Sequence, residues 1–243
     1  MLKVGTYNTR SRLGPQAGFT GRKVADRRKY LSSLKYDLWA LQECEKNPKI
    51  GVDFVESTPS VTNPKKNIVI ASQHKIYDPV VAGCGNGIAC IIDAPDRPFV
   101  FTSIWAYDNG EKSNYVYNYA SCAHEIMLFA KRYADDLDLP LIACGDMNLS
   151  LSIPSASKYA KQKIWSILRE WKSWGLQSAY HAYFREQPGE ETSFTVFGRS
   201  HGGWRYHIDY IWYDSYAFNI EMAKLLEPMH SDHAPLTSIL SCK

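Results

Sequence analysis

The sequence contains many short runs of apolar residues, and several of these runs show no alternation with polar residues. Leu38-Trp39-Ala40-Leu41 and Leu141-Ile142-Ala143-Cys144 are apolar at every position. A strand with one wet face alternates, whereas a continuously apolar strand is covered on both faces. Such runs predict covered sheets, with strands at Leu2–Tyr7, Leu38–Gln42, Asp53–Ser57, Ile68–Ala71, Ile88–Asp93, Phe99–Trp105, Pro140–Cys144, Ile208–Trp212, Phe218–Leu225 and Ala234–Leu240.

Three stretches with helical periodicity separate these strands. Apolar residues recur at helical spacing over Val24–Leu34, over Tyr119–Leu137 and over Ala160–Trp171, and Gly175 ends the third stretch. Strands therefore come both in consecutive groups and with intervening helices. This order predicts an α/β protein with mixed sheets rather than an alternating barrel. No linker or repeat divides the chain, so residues 1–243 are expected to form a single domain.

The composition excludes several functional classes. Of the 243 residues, 45% are hydrophobic and 22% charged, which is typical of a globular protein rather than a disordered one. The formal net charge of +3 excludes a histone-like polycation but leaves room for a local nucleic-acid surface. No run reaches the roughly 18 apolar residues of a membrane span, and no signal peptide is recognisable. A cytoplasmic location is expected, and no protein partner is indicated.

Cysteine and glycine motifs do not indicate a soft-metal or nucleotide-loop site. The six cysteines include no C-x-x-C pair, which makes zinc-ribbon and thioredoxin-type chemistry poor explanations. Gly83-Cys84-Gly85-Asn86-Gly87 lacks the G-x-G-x-x-G spacing of a dinucleotide-binding loop. We therefore predict that this stretch is a turn between two strands.

Polar residues follow the apolar runs at five places along the chain. Each cluster alone has an ordinary explanation, such as a turn or a solvated carboxylate. Because strand ends in a sheet converge on one edge, Asn8, Glu43, Asp146, Asn148, Asp232 and His233 are expected to meet around one cleft. The clusters are Asn8, Gln42-Glu43, Gly145-Asp146-Met147-Asn148, His207 with Asp209, and Ser231-Asp232-His233.

The side chains in these clusters have a common chemical character. Carboxylate and amide oxygens suit Mg²⁺ or Mn²⁺ better than a soft metal. A histidine beside a carboxylate can activate water, and an asparagine amide can donate to a phosphoryl oxygen as charge develops on it. The combination predicts metal-assisted hydrolysis of a phosphate ester.

The order of these motifs resembles the endonuclease/exonuclease/phosphatase (DNase I-like) superfamily. The resemblance implies a four-layer α/β sandwich, in which two mixed β-sheets pack together and helices flank them. It extends over nearly the whole chain. The matching pieces are Thr6-Tyr7-Asn8, Leu41-Gln42-Glu43, Gly145-Asp146-Met147-Asn148, Ile208-Asp209-Tyr210 and Ser231-Asp232-His233.

The resemblance also implies a role for each matching residue. Glu43 would be the principal ligand of Mg²⁺ or Mn²⁺, with Asn8 and Asp232 near the metal. The other four residues would act on the substrate. Asp146 would position or deprotonate the attacking water, Asn148 would hold a phosphoryl oxygen, and His233, paired with Asp209, would contact the phosphate or activate the water.

One position departs from the family pattern. Trp105 occupies the strand end where the family usually presents His or Tyr, and an indole is not a general acid. Tyr107 is a weak candidate for that role, and Arg205 and His207 are weak candidates for substrate contact. The rings of Tyr115, Tyr117 and Trp204 fall on predicted loops around the cleft and are further candidates.

Three functions remain open from the sequence. The leading one is a metal-dependent phosphodiesterase or nuclease, for which basic clusters such as Lys65-Lys66 offer some support. The alternative is a phosphomonoesterase or phospholipase C-like hydrolase that acts on a small phosphorylated molecule or a lipid headgroup. A non-catalytic binding module on the same scaffold is motivated only by Trp105.

Overall fold

A computed structural model describes residues 1–9, 21–61, 63–107, 115–198 and 205–243. The helices are α1 (Gly21–Leu34), α2 (Tyr115–Asp136), α3 (Lys158–Ser173) and α4 (Ala179–Phe184). The strands are β1 (Leu2–Asn8), β2 (Leu38–Cys44), β3 (Phe54–Pro59), β4 (Asn67–Ser72), β5 (Lys75–Val81), β6 (Gly87–Asp93), β7 (Phe99–Trp105), β8 (Leu141–Asp146), β9 (Leu176–Ser178), β10 (Val196–Phe197), β11 (Arg205–Tyr206), β12 (Asp209–Asp214), β13 (Phe218–Leu225) and β14 (Leu236–Cys242).

The strands form two six-stranded sheets and a short ribbon. The first sheet has the order β13-β14-β1-β2-β4-β3, the second has the order β5-β6-β7-β8-β12-β9, and β10 pairs with β11. Both six-stranded sheets are mixed, because β1 pairs in parallel with β2 and β7 in parallel with β8, whereas their other neighbours pair antiparallel. A parallel pair needs a crossover connection. The crossovers contain α1 and α2, respectively.

Strand β2 shows why its sequence is apolar at every position. Leu38 and Ala40 belong to the core between the two sheets, whereas Trp39 and Leu41 belong to the core that includes Leu31 of α1. Successive side chains in a strand point to opposite faces, and here both faces are covered. The prediction of sheets covered on both sides is confirmed.

Helices cover the outer face of the second sheet as well. Ile126 of α2 and Ile164 and Trp171 of α3 pack in one core with Val100 of β7 and Trp212 of β12. The layers therefore run from α1 through the first sheet and the second sheet to α2 and α3. The predicted four-layer α/β sandwich is confirmed.

Among the described residues, the sequence patterns missed strand β5, helix α4 and the short strands β9, β10 and β11. Strand β5 is mostly exposed and pairs only with β6 at the edge of the second sheet, so no apolar run marks it. Helix α4 spans only six residues, which is too short for a periodic pattern. The predicted turn at Gly83–Gly87 is confirmed, because the Ala82 amide donates to the Gly87 carbonyl across it. Among the described residues, no helix is long and apolar enough to cross a membrane.

Candidate active site

Residues at the ends of β1, β2, β8 and β12 meet at one cleft between the two sheets. The cleft encloses about 510 Å³. Its charged floor comes from the predicted polar clusters, and aromatic and apolar side chains form its walls. The lining residues are Glu43, Trp105, Tyr107, Tyr119, Asp146, Asn148, Ile153, Ser155, Val196, Tyr206, Ile208 and His233.

Asn8 connects the two sheets at the floor of the cleft. Its Nδ2 donates to Glu43 Oε1 at 3.1 Å and to Asp146 Oδ2 at 2.8 Å. Glu43 stands on β2 of the first sheet and Asp146 on β8 of the second. One buried amide therefore holds two carboxylates from different sheets near a common point.

A β-bulge sets the direction of Glu43. In the pairing of β2 with β4 the register shifts between Leu41 and Cys44, which leaves one extra residue on β2. Glu43 has a φ of 51°, a left-handed conformation that is uncommon for a glutamate and concentrates at functional sites. Its carboxylate also forms an ion pair with Lys66. The sequence marks this residue only as half of the basic pair Lys65-Lys66.

Close strand packing positions Asp146 and Asn148. A Cβ on Gly145 would lie 1.9 Å from the Ile104 carbonyl oxygen, so β8 reaches the cleft beside β7 only with glycine at this position. Asn148 has a φ of 50°, which asparagine tolerates better than most residues. Its backbone N–H donates to Asp146 Oδ1 at 3.2 Å, and its side-chain amide donates to the Ala106 carbonyl.

Asp209 and His233 form a buried pair next to Asp146. Asp209 lies opposite Asp146 in the antiparallel pairing of β12 with β8. His233 Nδ1 lies 2.9 Å from Asp209 Oδ2, and because a carboxylate only accepts, Nδ1 carries the proton. Ser231 joins this segment to β1, since its hydroxyl donates to the Asn8 carbonyl and accepts from the His233 amide.

The pKa values of the site reflect both burial and close charges. Burial and the neighbouring Asp209 carboxylate raise the pKa of Asp146 to about 7. Burial disfavours the charged form of His233, but the Asp209 carboxylate outweighs this effect and the pKa of His233 rises to about 9. In the metal-free protein His233 is therefore cationic at neutral pH, and Asp146 can gain or lose a proton there.

The donor set suits a hard divalent cation. The Asn8 amide joins Glu43 to Asp146, and side-chain atoms of Asp146, Asp209 and His233 lie within 4.8 Å of one another, so several carboxylates surround one point. Within the part of the chain that the structure describes, Asp209 Oδ1 is buried and has no hydrogen-bond partner. On the other side of the floor, the Lys66 ammonium lies against Glu43, which shows that a positive charge is accommodated there. Carboxylate-rich sites of this kind favour Mg²⁺ or Mn²⁺.

The structure brings most predicted site residues together at the cleft, but it places His207 outside the cleft lining. The His207 side chain is fully buried, and its ring centroid lies 4.3 Å from that of Tyr180 in the protein interior. The buried ring is not among the residues that line the cleft, so the predicted contact of His207 with substrate stays a prediction. Asp232 is also buried, and its carbonyl accepts from the Phe197 amide. Arg205 is exposed on β11, next to Tyr206 in the cleft wall.

Stacked rings form one wall of the cleft. Trp105 stacks on Tyr107 with ring centroids 4.9 Å apart, and Tyr107 stacks on Tyr119 at 6.1 Å. Of the other rings predicted around the cleft, Tyr117 stacks on Tyr159 instead. The side chain of Tyr115 and all of Trp204 lie outside the described residues.

Fold and site together define the scaffold of a phosphoesterase, with a carboxylate cluster and an Asp–His pair between two packed sheets. The chain belongs to the endonuclease/exonuclease/phosphatase family, whose model matches residues 5–233. Members of this family are phosphoesterase hydrolases. Comparison with curated proteins finds no significant match.

Solved structures with the same fold differ widely in sequence from this chain. The catalytic domain of human nocturnin, with bound sulfate, is 18% identical with a TM-score of 0.70, covering 100% of this chain and 93% of that one. An AP endonuclease from Archaeoglobus fulgidus is 15% identical with a TM-score of 0.68 (98% and 99% covered). A mannosyl-6-phosphatase from Bacteroides thetaiotaomicron is 16% identical with a TM-score of 0.68 (99% and 100% covered).

Proposed function

We propose that this protein is a divalent-metal-dependent phosphodiesterase whose whole chain works as one domain and whose preferred cofactor is Mg²⁺ or Mn²⁺. The observation that carries the proposal is the convergence of Glu43, Asp146 and the Asp209–His233 pair at the floor of one cleft. Family membership supports the same reaction class. Nucleic acid is the leading substrate class.

Glu43 is the principal metal ligand in this proposal, with Asn8 and Asp232 near the ion. The ion supplies positive charge that stabilises the negative charge developing on the phosphoryl oxygens. The bulge and the left-handed backbone at Glu43 direct its carboxylate to the point that Asn8 shares with Asp146. Lys66 pairs with Glu43 in the structure and would have to give up this carboxylate to a bound ion.

Asp146, Asn148 and His233 act on the substrate. Asp146, with a pKa near neutrality, accepts a proton from the attacking water as the new P–O bond forms. The His233 ring, held by Asp209 through Nδ1, presents its Nε2–H to a phosphoryl oxygen. Asn148 lines the cleft beside Asp146 and donates its second amide hydrogen to another phosphoryl oxygen.

The leaving oxygen receives its proton from Tyr107 in this scheme. Trp105 cannot supply a proton, but Tyr107 stacks on it and lines the cleft. We expect Tyr107→Phe to slow cleavage of an alkyl diester, whose leaving group needs a proton, about ten-fold or more. Cleavage of a bis(4-nitrophenyl) diester should be unaffected, because its leaving group departs without one. Equal slowing of both substrates would contradict the assignment.

The direct test is a substrate panel of DNA, RNA, nucleotides and phospholipids, measured with and without Mg²⁺. Glu43→Gln and Asp146→Asn should each reduce turnover about 10²- to 10⁴-fold. Asp135→Asn is the matched control, because Asp135 is an exposed carboxylate that pairs with Lys131 on α2. Metal-independent turnover that survives both site substitutions would refute the proposal.

A phosphomonoesterase is the second candidate. The cleft is small, and the wall of Trp105 and Tyr107 can pack against a sugar as well as a base. A structural neighbour is a mannosyl-6-phosphatase. Product analysis separates the two candidates, because a phosphomonoesterase releases free orthophosphate and a diesterase does not. A non-catalytic module would show Mg²⁺ binding by calorimetry without any turnover.

A further inference from the structure

The solvent side of α3 is the most strongly basic helix face among the described residues. Five basic residues and one acidic residue within its 16 residues give α3 a formal charge of +4, whereas the whole chain carries +3. The buried side of the helix holds Ile164, Leu168 and Trp171, so the charges lie on the solvent side. The basic residues are Lys158, Lys161, Lys163, Arg169 and Lys172.

The positive charge is concentrated in the part of α3 that lies nearest the cleft. Ser155 lines the cleft, and α3 begins at Lys158 shortly after it. Lys158, Lys161 and Lys163 stand in the first half of the helix, whereas its carboxylate, Glu170, lies in the last turn. Helix N-termini ordinarily favour Asp or Glu, but the first turn of α3 contains neither. The helix therefore presents to the cleft rim a charge that is complementary to a polyanion.

A pair of stacked rings lies beside these lysines. The ring of Tyr159 on α3 stacks on that of Tyr117 on α2, with centroids 5.2 Å apart and an interplanar angle of 15°. Tyr159 is nevertheless 66% exposed, so the ring face that points away from Tyr117 is accessible. Lys163 Nζ lies 5.9 Å from the Tyr117 centroid, which brings a cation next to the pair. An exposed ring that a second ring holds in place is a surface on which a nucleobase can stack.

Both helices that carry this ring pair begin at the rim of the cleft. Tyr119, two residues after Tyr117 on α2, lines the cleft and stacks on Tyr107 with centroids 6.1 Å apart. Ser155 lines the cleft just before α3. A chain-like substrate whose scissile phosphate lies in the cleft can therefore continue along the first turns of these two helices.

We propose that Tyr159 and the lysines of α3 form an accessory surface for single-stranded nucleic acid, which binds nucleotides that flank the scissile phosphate. The inference rests on the proposed function and narrows its substrate class. The lysines contact phosphates without regard to sequence, and the Tyr159 ring stacks on a base. Single strands are favoured over duplexes, because the bases of a duplex are stacked on one another and only unpaired bases can be splayed onto a protein ring.

The binding test titrates the metal-free, full-length protein in EDTA with a fluorescent oligo-dT of about ten nucleotides, a length within the range of single-strand sites. Tyr159→Ala should weaken binding about ten-fold, whereas Tyr159→Phe, which keeps the ring, should bind as the wild type does. Tyr216→Ala is the matched control, because Tyr216 is a highly exposed tyrosine in the turn after β12, at the end of that strand opposite Asp209. Equal affinities of the wild type and Tyr159→Ala would overturn the inference.

Two further measurements separate stacking from charge. A strand of the same length built from tetrahydrofuran abasic units keeps the phosphates but lacks bases, so the preference for oligo-dT over this strand should shrink in Tyr159→Ala. Lys158→Gln should reduce the slope of log affinity against log salt by about 0.7, the loss of one phosphate contact. Lys224→Gln, at an exposed lysine on β13, should not. Equal affinity for a duplex, or binding of phosphatidylserine vesicles but not of the oligonucleotide, would overturn the assignment to single strands.

Turnover distinguishes this inference from the proposed function. With Mg²⁺ present, Tyr159→Ala should raise the KM for oligo-dT about ten-fold. It should leave hydrolysis of bis(4-nitrophenyl) phosphate unchanged, because this small diester reaches only the cleft. A protein that binds the oligonucleotide through Tyr159 but hydrolyses no diester would refute the proposed function and retain the binding surface. Hydrolysis of oligo-dT with the same KM in the wild type and in Tyr159→Ala would overturn the surface and leave the proposed function intact.

Discussion

Two buried histidines of this protein have opposite electrostatic character. His233 is 5% exposed and its pKa is raised to about 9, whereas His207 is 0% exposed and burial lowers its pKa to about 4. His233 Nδ1 faces the Asp209 carboxylate at 2.9 Å, but His207 Nδ1 faces the neutral Ser193 carbonyl at 3.4 Å. The charge of the hydrogen-bond partner, rather than the depth of burial, therefore explains why His233 is a cation in the cleft and His207 a neutral ring behind it.

The largest expected effect follows from removing the partner of His233. Asp209→Asn takes away the carboxylate that holds the Nδ1 proton, so the pKa of His233 falls and its tautomer is no longer fixed. We expect turnover to fall about 10²- to 10⁴-fold. Initial rates at saturating Mg²⁺ measure the loss, and histidine NMR of the metal-free variant measures the pKa.

The same strand offers a matched control for Asp209. Asp214 lies at the other end of β12, where it accepts a hydrogen bond from the Tyr216 amide far from the cleft. Asp214→Asn should leave both turnover and the His233 titration unchanged. If Asp209→Asn left the pKa of His233 near its wild-type value, the contrast between the two histidines would have another cause.

The second prediction concerns stability and depends on His207. Its folded-state pKa of about 4 lies below the ordinary histidine value of 6.5, so between these pH values His207 binds more protons in the unfolded chain. His207 therefore contributes a rise of the free energy of unfolding with pH across this window, by about 3 kcal/mol for a fully developed shift, whereas Asp146, with its raised pKa, contributes a fall. Urea unfolding of the metal-free protein at a series of pH values measures the slope.

Replacing His207 tests the origin of that slope. His207→Phe keeps a ring beside Tyr180 but cannot be protonated, so between pH 4 and 6.5 its stability relative to the wild type should fall as pH rises. The NMR titration of His207 in the wild-type protein gives the same information if the variant folds poorly. A His207 ring that titrates near pH 6.5 would disprove the prediction.

The smallest expected effect comes from changing the charge that surrounds His233. The Glu43 carboxylate raises the pKa of His233, and Lys66 neutralises part of that carboxylate's charge. Lys66→Gln should therefore move the pKa of His233 slightly upward in the metal-free protein. It should also strengthen Mg²⁺ binding, because no ammonium competes for Glu43.

The neighbouring lysine provides the control for Lys66. Lys65 is exposed, and the Lys65→Gln variant has the same net charge as the Lys66→Gln variant. NMR titration and calorimetry of the two variants should differ. Identical behaviour would show that the effect of Lys66 is one of overall charge rather than of contact with Glu43.

The sequence predicted the layers and most of the site for a physical reason. Runs such as Leu38–Leu41 record burial on both faces, and polar residues directly after a strand fall at the edge where strands converge. Asn8, Glu43, Asp146 and His233 could therefore be expected at one cleft before any contact was known. The single domain and the cytoplasmic location stay predictions.

Other features depend on contacts that no local pattern records. The sequence places His207 two positions from Asp209, and only the fold shows that its ring turns to Tyr180. Lys66 belongs to the site because it forms an ion pair with Glu43, a carboxylate on another strand. Strand β5 lacks a core face, so pairing with β6 rather than apolar patterning defines it. Such features follow from long-range packing, which overrides local propensity.

The amide of Asn8 has a consequence for how the protein assembles. Asn8 and Asp146 are 138 positions apart, and their hydrogen bond joins one sheet to the other. The cleft is therefore complete only when the two sheets have packed together, and contacts of such sequence separation slow folding. A divalent ion that binds there, at a free concentration 100 times its Kd, would add roughly 3 kcal/mol to the free energy of unfolding. A bound ion would thus stabilise the packing of the two sheets against each other.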